Sequence, residues 1–179
     1  GHSEGALIGA IISQDATVEK FISVSGTGRP ANEVLSDQLA AQSPLAAAAG
    51  NSIMDSLKAG HRVTSVPPAF MTLFRPSIQP YMISWFKYDP AEVIAKLDKP
   101  VLVLNGTNDI QVDENEAEIL AEAAKNSKLV ILEGMNHVLK DAPEERNDNI
   151  AVYSQADKPL SEGLVKSIAT FVKAAQGSE

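Results

Sequence analysis

The chain has 179 residues, of which 44% are hydrophobic and 21% charged, the balance of an ordinary globular domain. Its formal net charge of −8 argues against nucleic acid or anionic membrane as partners, because phosphate binding needs a basic patch. With no cysteine, disulfides, zinc–thiolate sites and thiol nucleophiles are excluded, and no apolar run approaches the roughly eighteen residues of a membrane helix.

The first five residues, GHSEG, fit G-x-S-x-G, a turn that sets a nucleophilic serine between a strand and a helix. Residues 4–14 mix small and aliphatic side chains and predict a helix apolar on nearly every face, hence buried. Residues 20–25 (KFISVS) predict a short strand closed by Gly26 and Gly28. An insert of about residues 29–95 follows. Six of the ten prolines fall between residues 44 and 90, which predicts short, broken helices. The insert also holds six of the nine aromatics: Phe70, Phe74, Tyr81, Trp85, Phe86 and Tyr88. A segment leaving the carboxyl end of a strand is where α/β enzymes place lids and pockets. Phe70, Phe74, Trp85 and Phe86 are therefore candidate substrate contacts; the alternative is that they fasten the insert to the sheet, and both can hold.

Residues 100–105 (PVLVLN) form the clearest strand, apolar enough to be buried on both faces of a parallel sheet, and residues 128–132 (KLVIL) repeat the pattern. Between them Asp113–Lys125 predicts a helix with capping-box spacing, Asp113 to Glu116. Ser161–Ala175 sets Leu164, Val165, Ile168, Phe171 and Val172 on one face of a last amphipathic helix. The alternation predicts a single α/β domain over residues 1–179, about three parallel strands flanked by helices.

Ser3, Asp109 and His137 each follow a strand or expected strand, and in an open parallel sheet the carboxyl ends of the strands share one edge. A serine hydroxyl needs an imidazole to take its proton, and the imidazole needs a carboxylate to fix its tautomer. Gly1 and Gly5 leave room beside the serine's strained turn, and the Glu4 N–H at the helix start is a candidate oxyanion donor. Alternatives stay open at each position. Asp109 suits a turn, His137 a structural loop histidine, and Asp113, a rival acid, suits a helix cap better. His2 is expected to pack beside the turn, and His61 to line surface or pocket. No cluster has metal-ligand spacing, so no metal and no cofactor is expected.

These residues resemble the alpha/beta-hydrolase superfamily, specifically bacterial carboxylesterase-like members. GHSEG is similar to their nucleophile elbow, PVLVLNGTNDIQV to their acid strand and loop, and LEGMNHVLK to their histidine loop. NDNIAVYSQADKPLSEGLVKSIATFV is similar to their closing segment. The resemblance covers residues 1–28 and 96–175 and implies a partial alpha/beta-hydrolase fold, the carboxyl-terminal half from the elbow onward, with the insert as a helical cap. It implies Ser3 as nucleophile, His137 as base, Asp109 as orienting acid and the Glu4 N–H in the oxyanion hole. Family members carry several strands before the elbow and a loop among them that gives the second oxyanion donor. Without these, the strand at 20–25 is expected to be an open edge, the helix at 4–14 partly uncovered, and the chain a homodimer or higher oligomer through that edge.

The activity implied is hydrolysis of a small-molecule carboxylic ester through an acyl-enzyme, with neither nucleic acid nor membrane as partner. Peptidase, thioesterase and acyltransferase readings share the triad, and a non-catalytic fragment that folds by self-association is the rival. The compartment is left open, a soluble, cytoplasmic one being preferred.

Overall fold

The computed structural model describes residues 1–174. In chain order its elements are α1 (Glu4–Ile12), β1 (Phe21–Val24), α2 (Ala31–Gln42), α3 (Pro44–Lys58), a 3-10 turn (Pro68–Phe70), α4 (Met71–Phe74), α5 (Gln79–Trp85), α6 (Pro90–Ile94), β2 (Val101–Gly106), α7 (Glu114–Ala123), β3 (Ser127–Leu132), α8 (Arg146–Val152) and α9 (Leu164–Lys173). They fall into two compact units: a sheet unit of Gly1–Gly28 with the chain from Pro90 onward, and a cap unit of Arg29–Asp89. The insert thus ends at Asp89, and α6, expected within it, belongs with the sheet. The final residue of the expected last helix, Ala175, lies outside the described residues.

The sheet unit is a three-stranded parallel sheet in the order β1-β2-β3, with Phe21 opposite Val101 and Val101 opposite Ser127. Strand periodicity splits β2 between two faces. Leu102 and Leu104 join Val24, Met135 and Leu164, with Ile168 and Phe171 of α9 packed against them. On the other face Phe21 and Ser23 line a small cavity with Ala6, Leu7 and Ala10 of α1, Ile94 of α6 and Leu120 of α7. Helices therefore cover both faces of the sheet, the architecture its apolar strands require. Lys20 ties the carboxyl end of α9 to the start of β1: its Nζ donates to the carbonyls of Phe171 (3.0 Å), Val172 (3.1 Å) and Ala174.

Three expectations change. β2 is buried at every residue, but β3 is half exposed, with Leu129 37% accessible, because β3 has a strand partner on one side only among the described residues. In α1 only Ala6, Leu7 and Ala10 are buried, while Ile8 and Ile12 stand 49% and 60% exposed, as the partly uncovered reading expects and the buried reading does not. The edge of β1 is also not open along its length. The chain returns through α1 so that β1 runs parallel beside residues 1–3. His2 then bridges Val24, the Gly1 nitrogen donates to the Ile22 carbonyl (2.7 Å), and the Val24 N–H donates to the Gly1 carbonyl (2.9 Å).

The cap unit is more regular than its prolines imply. Pro44 occupies the first turn of α3, a 15-residue helix, and Pro30 the position before α2; in both places a missing N–H costs nothing. Ser43 caps α3 by accepting from the Leu45 N–H (3.2 Å). Only beyond Pro67 are the helices short. Leu39, Ile53, Met54, Leu57, Phe70, Phe74, Met82 and Phe86 make a core of the cap's own. Fully buried Gln79 stitches its loop: Nε2 donates to the Val63 and Phe74 carbonyls (both 2.8 Å), and Oε1 accepts from the Val63 N–H (2.9 Å).

Replacing Gln79 by Leu strands three backbone groups, the buried Phe74 carbonyl and the part-buried N–H and carbonyl of Val63. Gln79→Leu is expected to destabilise the cap unit by about 2–4 kcal/mol, read by urea unfolding through the fluorescence of Trp85, the chain's one tryptophan.

Candidate active site

The site is built on the turn between residues 1–2 and α1. Ser3 has φ 53° and ψ −127°, a sparsely populated conformation that costs about 1–3 kcal/mol for a residue with a β-carbon. Hydrogen bonds on both sides hold it there. The Ser3 N–H donates to the Val24 carbonyl (2.9 Å), the Gly5 N–H to the His2 carbonyl (2.8 Å), and the Ala6 N–H to the Ser3 carbonyl (2.9 Å). A β-carbon on Gly1 would lie 1.9 Å from the Gly5 carbonyl oxygen, so the first glycine of the motif is required. The fifth position differs from expectation: a β-carbon on Gly5 meets nothing within 4 Å, because its α-hydrogen points into open space.

The structure brings Ser3, His137 and Asp109 together. His137 Nε2 lies 3.0 Å from Ser3 Oγ and its Nδ1 lies 2.8 Å from Asp109 Oδ2. A carboxylate oxygen only accepts, so Nδ1 carries the proton, and in the neutral ring Nε2 is left to accept from the serine hydroxyl. Asp109 and His137 are both buried. The second oxygen of Asp109 accepts the N–H groups of Gln111 and Val112, each at 2.9 Å, which fixes the carboxylate plane. Glu4 opens α1, so its N–H is among those with no intrahelical acceptor.

Asparagines that the sequence reading passed over hold the two loops in place. Asn105, ending the apolar run of β2, donates through Nδ2 to the Val112 (3.1 Å) and Asp113 (2.9 Å) carbonyls and accepts from the Ser25 hydroxyl (3.1 Å). Asn136 accepts the Val138 and Lys140 N–H groups (both 3.2 Å), closing the turn that presents His137 and places Leu139 at φ 64°. Its Nδ2 donates to Asn149 (3.2 Å), whose own amide donates to the Asn108 (2.8 Å) and Pro143 (3.1 Å) carbonyls. Asn105, Asn136 and Asn149 are fully buried. The signal available was chemical: a polar residue closing an apolar strand or flanking a triad residue must spend its hydrogen bonds on the adjoining loop.

Asp113 is the α7 cap, accepting from the Glu116 N–H (3.2 Å), while the buried Glu116 carboxylate accepts the Gly28 N–H (2.8 Å) and anchors the loop after β1. Burial raises Glu4 from its ordinary value. Tyr153 is raised too, by burial first and by the Asp109 charge, against a hydrogen bond from Gln111. His2 is exposed as a residue, yet the side of its ring that faces the histidine loop loses water. This desolvation, the largest influence, lowers its pKa, against the hydrogen bond to the His137 carbonyl and the charge of Asp109. Among the described residues no group of three or more His, Asp or Glu is placed to hold a metal, and no helix is long and apolar enough to cross a membrane. Phe70, Phe74 and Phe86 lie in the cap core, with Trp85 partly buried against it; His61 is exposed in the cap.

A parallel sheet with helices on both faces, carrying a serine on a strained turn and an acid and a histidine after successive strands, has the arrangement of a partial α/β-hydrolase fold. Comparison with known proteins agrees. The chain is 29% identical over 146 residues to Esterase EstD of Thermotoga maritima, a match that covers 78% of this chain and 34% of that protein. It is similar in structure to the enol-lactonase from Burkholderia xenovorans LB400, with TM-score 0.51, 18% identity, 97% of this chain and 64% of the other. A third resemblance is to BpoC of Mycobacterium tuberculosis H37Rv, described as a candidate non-heme bromoperoxidase, with TM-score 0.50, 14% identity, 97% of this chain and 66% of the other. No protein-family model matches the chain. The chain spans about a third of the length of EstD, and its fold is that of part of an α/β hydrolase.

The two glycines of the motif separate experimentally. Gly1→Ala is expected to cost about 1–3 kcal/mol through overpacking against backbone. Gly5→Ala, inside α1 with open space beside it, is expected to be neutral or stabilising by up to about 1 kcal/mol, both read from thermal unfolding.

Proposed function

We propose that this chain is a serine hydrolase of the carboxylesterase type, acting on small-molecule carboxylic esters without a cofactor. The observation that carries the reading is the Ser3–His137–Asp109 relay, with hydrogen-bond spacings of 3.0 Å and 2.8 Å, hung on a serine held at φ 53°. His137 takes the Ser3 proton as Oγ attacks the acyl carbon. The carbonyl oxygen becomes an oxyanion facing the Glu4 N–H at the positive end of α1. Collapse expels the alcohol, which receives the proton from His137, and leaves the acyl group on Ser3. Water, deprotonated by His137, then repeats the sequence and frees the acid. Asp109 holds the imidazole tautomer and stabilises its cation throughout. Peptides, thioesters and acyl acceptors other than water would use the same steps. The similarity to EstD favours esters. Of the four candidate aromatic contacts, Trp85 is the partly exposed one.

With p-nitrophenyl acetate, Ser3→Ala is expected to reduce the rate to background, and Asp109→Asn to lower kcat by about 10⁴. Equal rates in wild type and Ser3→Ala would overturn the assignment and support the non-catalytic reading.

We also propose that a second copy covers the exposed Ile8 and Ile12 of α1, since residues 1–3 already occupy much of the β1 edge. Light scattering is expected to give a dimer or higher oligomer that Ile12→Glu disperses; a monomer at micromolar concentration would exclude it.

A further inference from the structure

His2 stands between the nucleophile and the base. It is bonded to Ser3 in sequence, and its Nε2 lies 2.8 Å from the backbone oxygen of His137, with the two rings 4.9 Å apart and inclined at 43°. A carbonyl oxygen only accepts, so the contact puts a proton on His2 Nε2. His137 itself sits in a turn closed by Asn136, and the Asn136 bonds act on Val138 and Lys140, downstream of the base. The His2 bond acts on the peptide of His137 itself, and it comes from the elbow rather than from the histidine loop.

We propose that His2 is a positioning residue: its Nε2–H pins the His137 main chain to the nucleophile elbow, so that imidazole and Ser3 Oγ keep one separation. The role rests on the serine-hydrolase reading, because the separation it fixes is the one across which the proton moves. The two turns each hold a residue at positive φ, Ser3 at 53° fixed by backbone bonds and Leu139 at 64° in the turn closed by Asn136. The His2 contact joins the two turns directly. His2 touches neither the leaving group nor the acyl carbon in this role, and any side chain that donates from the same place should replace it.

The test uses the full chain with two variants, His2→Phe, which keeps a ring and removes the donor, and His2→Gln, which keeps a donor. Two readouts are taken: the rate at which a fluorophosphonate labels Ser3, and the low-field proton resonance of His137 Nδ1–H, which reports the Asp109 bond without any reaction. His2→Phe is expected to label about 3- to 10-fold more slowly, the scale of one hydrogen bond, and to broaden or lose the resonance. His2→Gln is expected to restore both. Should His2→Phe melt below the assay temperature, His2→Leu takes its place. Wild-type behaviour in His2→Phe overturns the proposal, and so does a His2→Gln variant as impaired as His2→Phe, which would mean that ring packing matters and the donor does not. A wild-type chain that fails to label overturns the hydrolase reading. The resonance then decides the positioning role alone: lost in His2→Phe and kept in His2→Gln supports it, and unchanged in His2→Phe, or missing from wild type, overturns it.

Discussion

Everything at the site depends on a short parallel pairing between residues 1–3 and β1. The Val24 N–H donates to the Gly1 carbonyl, and the Ser3 N–H donates to the Val24 carbonyl, each at 2.9 Å. A serine at φ 53° would relax if its turn were free, because the strain there is worth a kcal/mol or more. The two bonds to Val24 clamp the turn on its strand side, and the first turn of α1 clamps it on the other. The close fit of Gly1 against the Gly5 carbonyl then leaves the turn one shape. The pairing with β1 thus aims the elbow from the side of the neighbouring strand.

The parts legible in the sequence are those governed by local pattern. The apolar run 101–104 is typical of a strand buried on both faces, and the meeting of Ser3, Asp109 and His137 was foreseeable because a parallel sheet gathers its strand ends on one edge. Three things escaped for identifiable reasons. The strand at 127–132 reads as apolar as β2, yet burial depends on neighbours in the sheet and not on composition. Proline counts overstate the breakage of α2 and α3, since a proline at a helix start is neutral and only its position reveals this. Asn105, Asn136 and Asn149 carry no periodicity, and their partners are backbone groups of loops distant in sequence, so nothing in a linear reading singles them out.

The cap illustrates the limit of reading aromatics as contacts. A unit of this size can stand by itself only if its large side chains turn inward, and Phe70, Phe74 and Phe86 do so. Their burial serves the cap's own stability. A side chain that is to meet a ligand must keep part of its surface free, a condition that Trp85 alone of the four satisfies.

The form of the histidine loop follows from sheet geometry. Residues 1–3, β1, β2 and β3 are successive neighbours, so about 14 Å separates the nucleophile's strand from β3 at a spacing of about 4.8 Å per strand. His137 leaves the far strand and has to reach Ser3, crossing the end of β2 on the way. That crossing is visible in the packing. The Asn108 N–H donates to the Met135 carbonyl (3.1 Å), and a β-carbon on Gly106 would lie 2.1 Å from the same oxygen. Gly106 is therefore a glycine because the histidine loop passes directly over it. Asn108 and Asn136, together with Asn149, tie that loop down where it crosses. Met135, fully buried against Leu102 and Leu104, anchors the loop by packing, and the buried amides of Asn136 and Asn149 fix it further through bonds to neighbouring backbone.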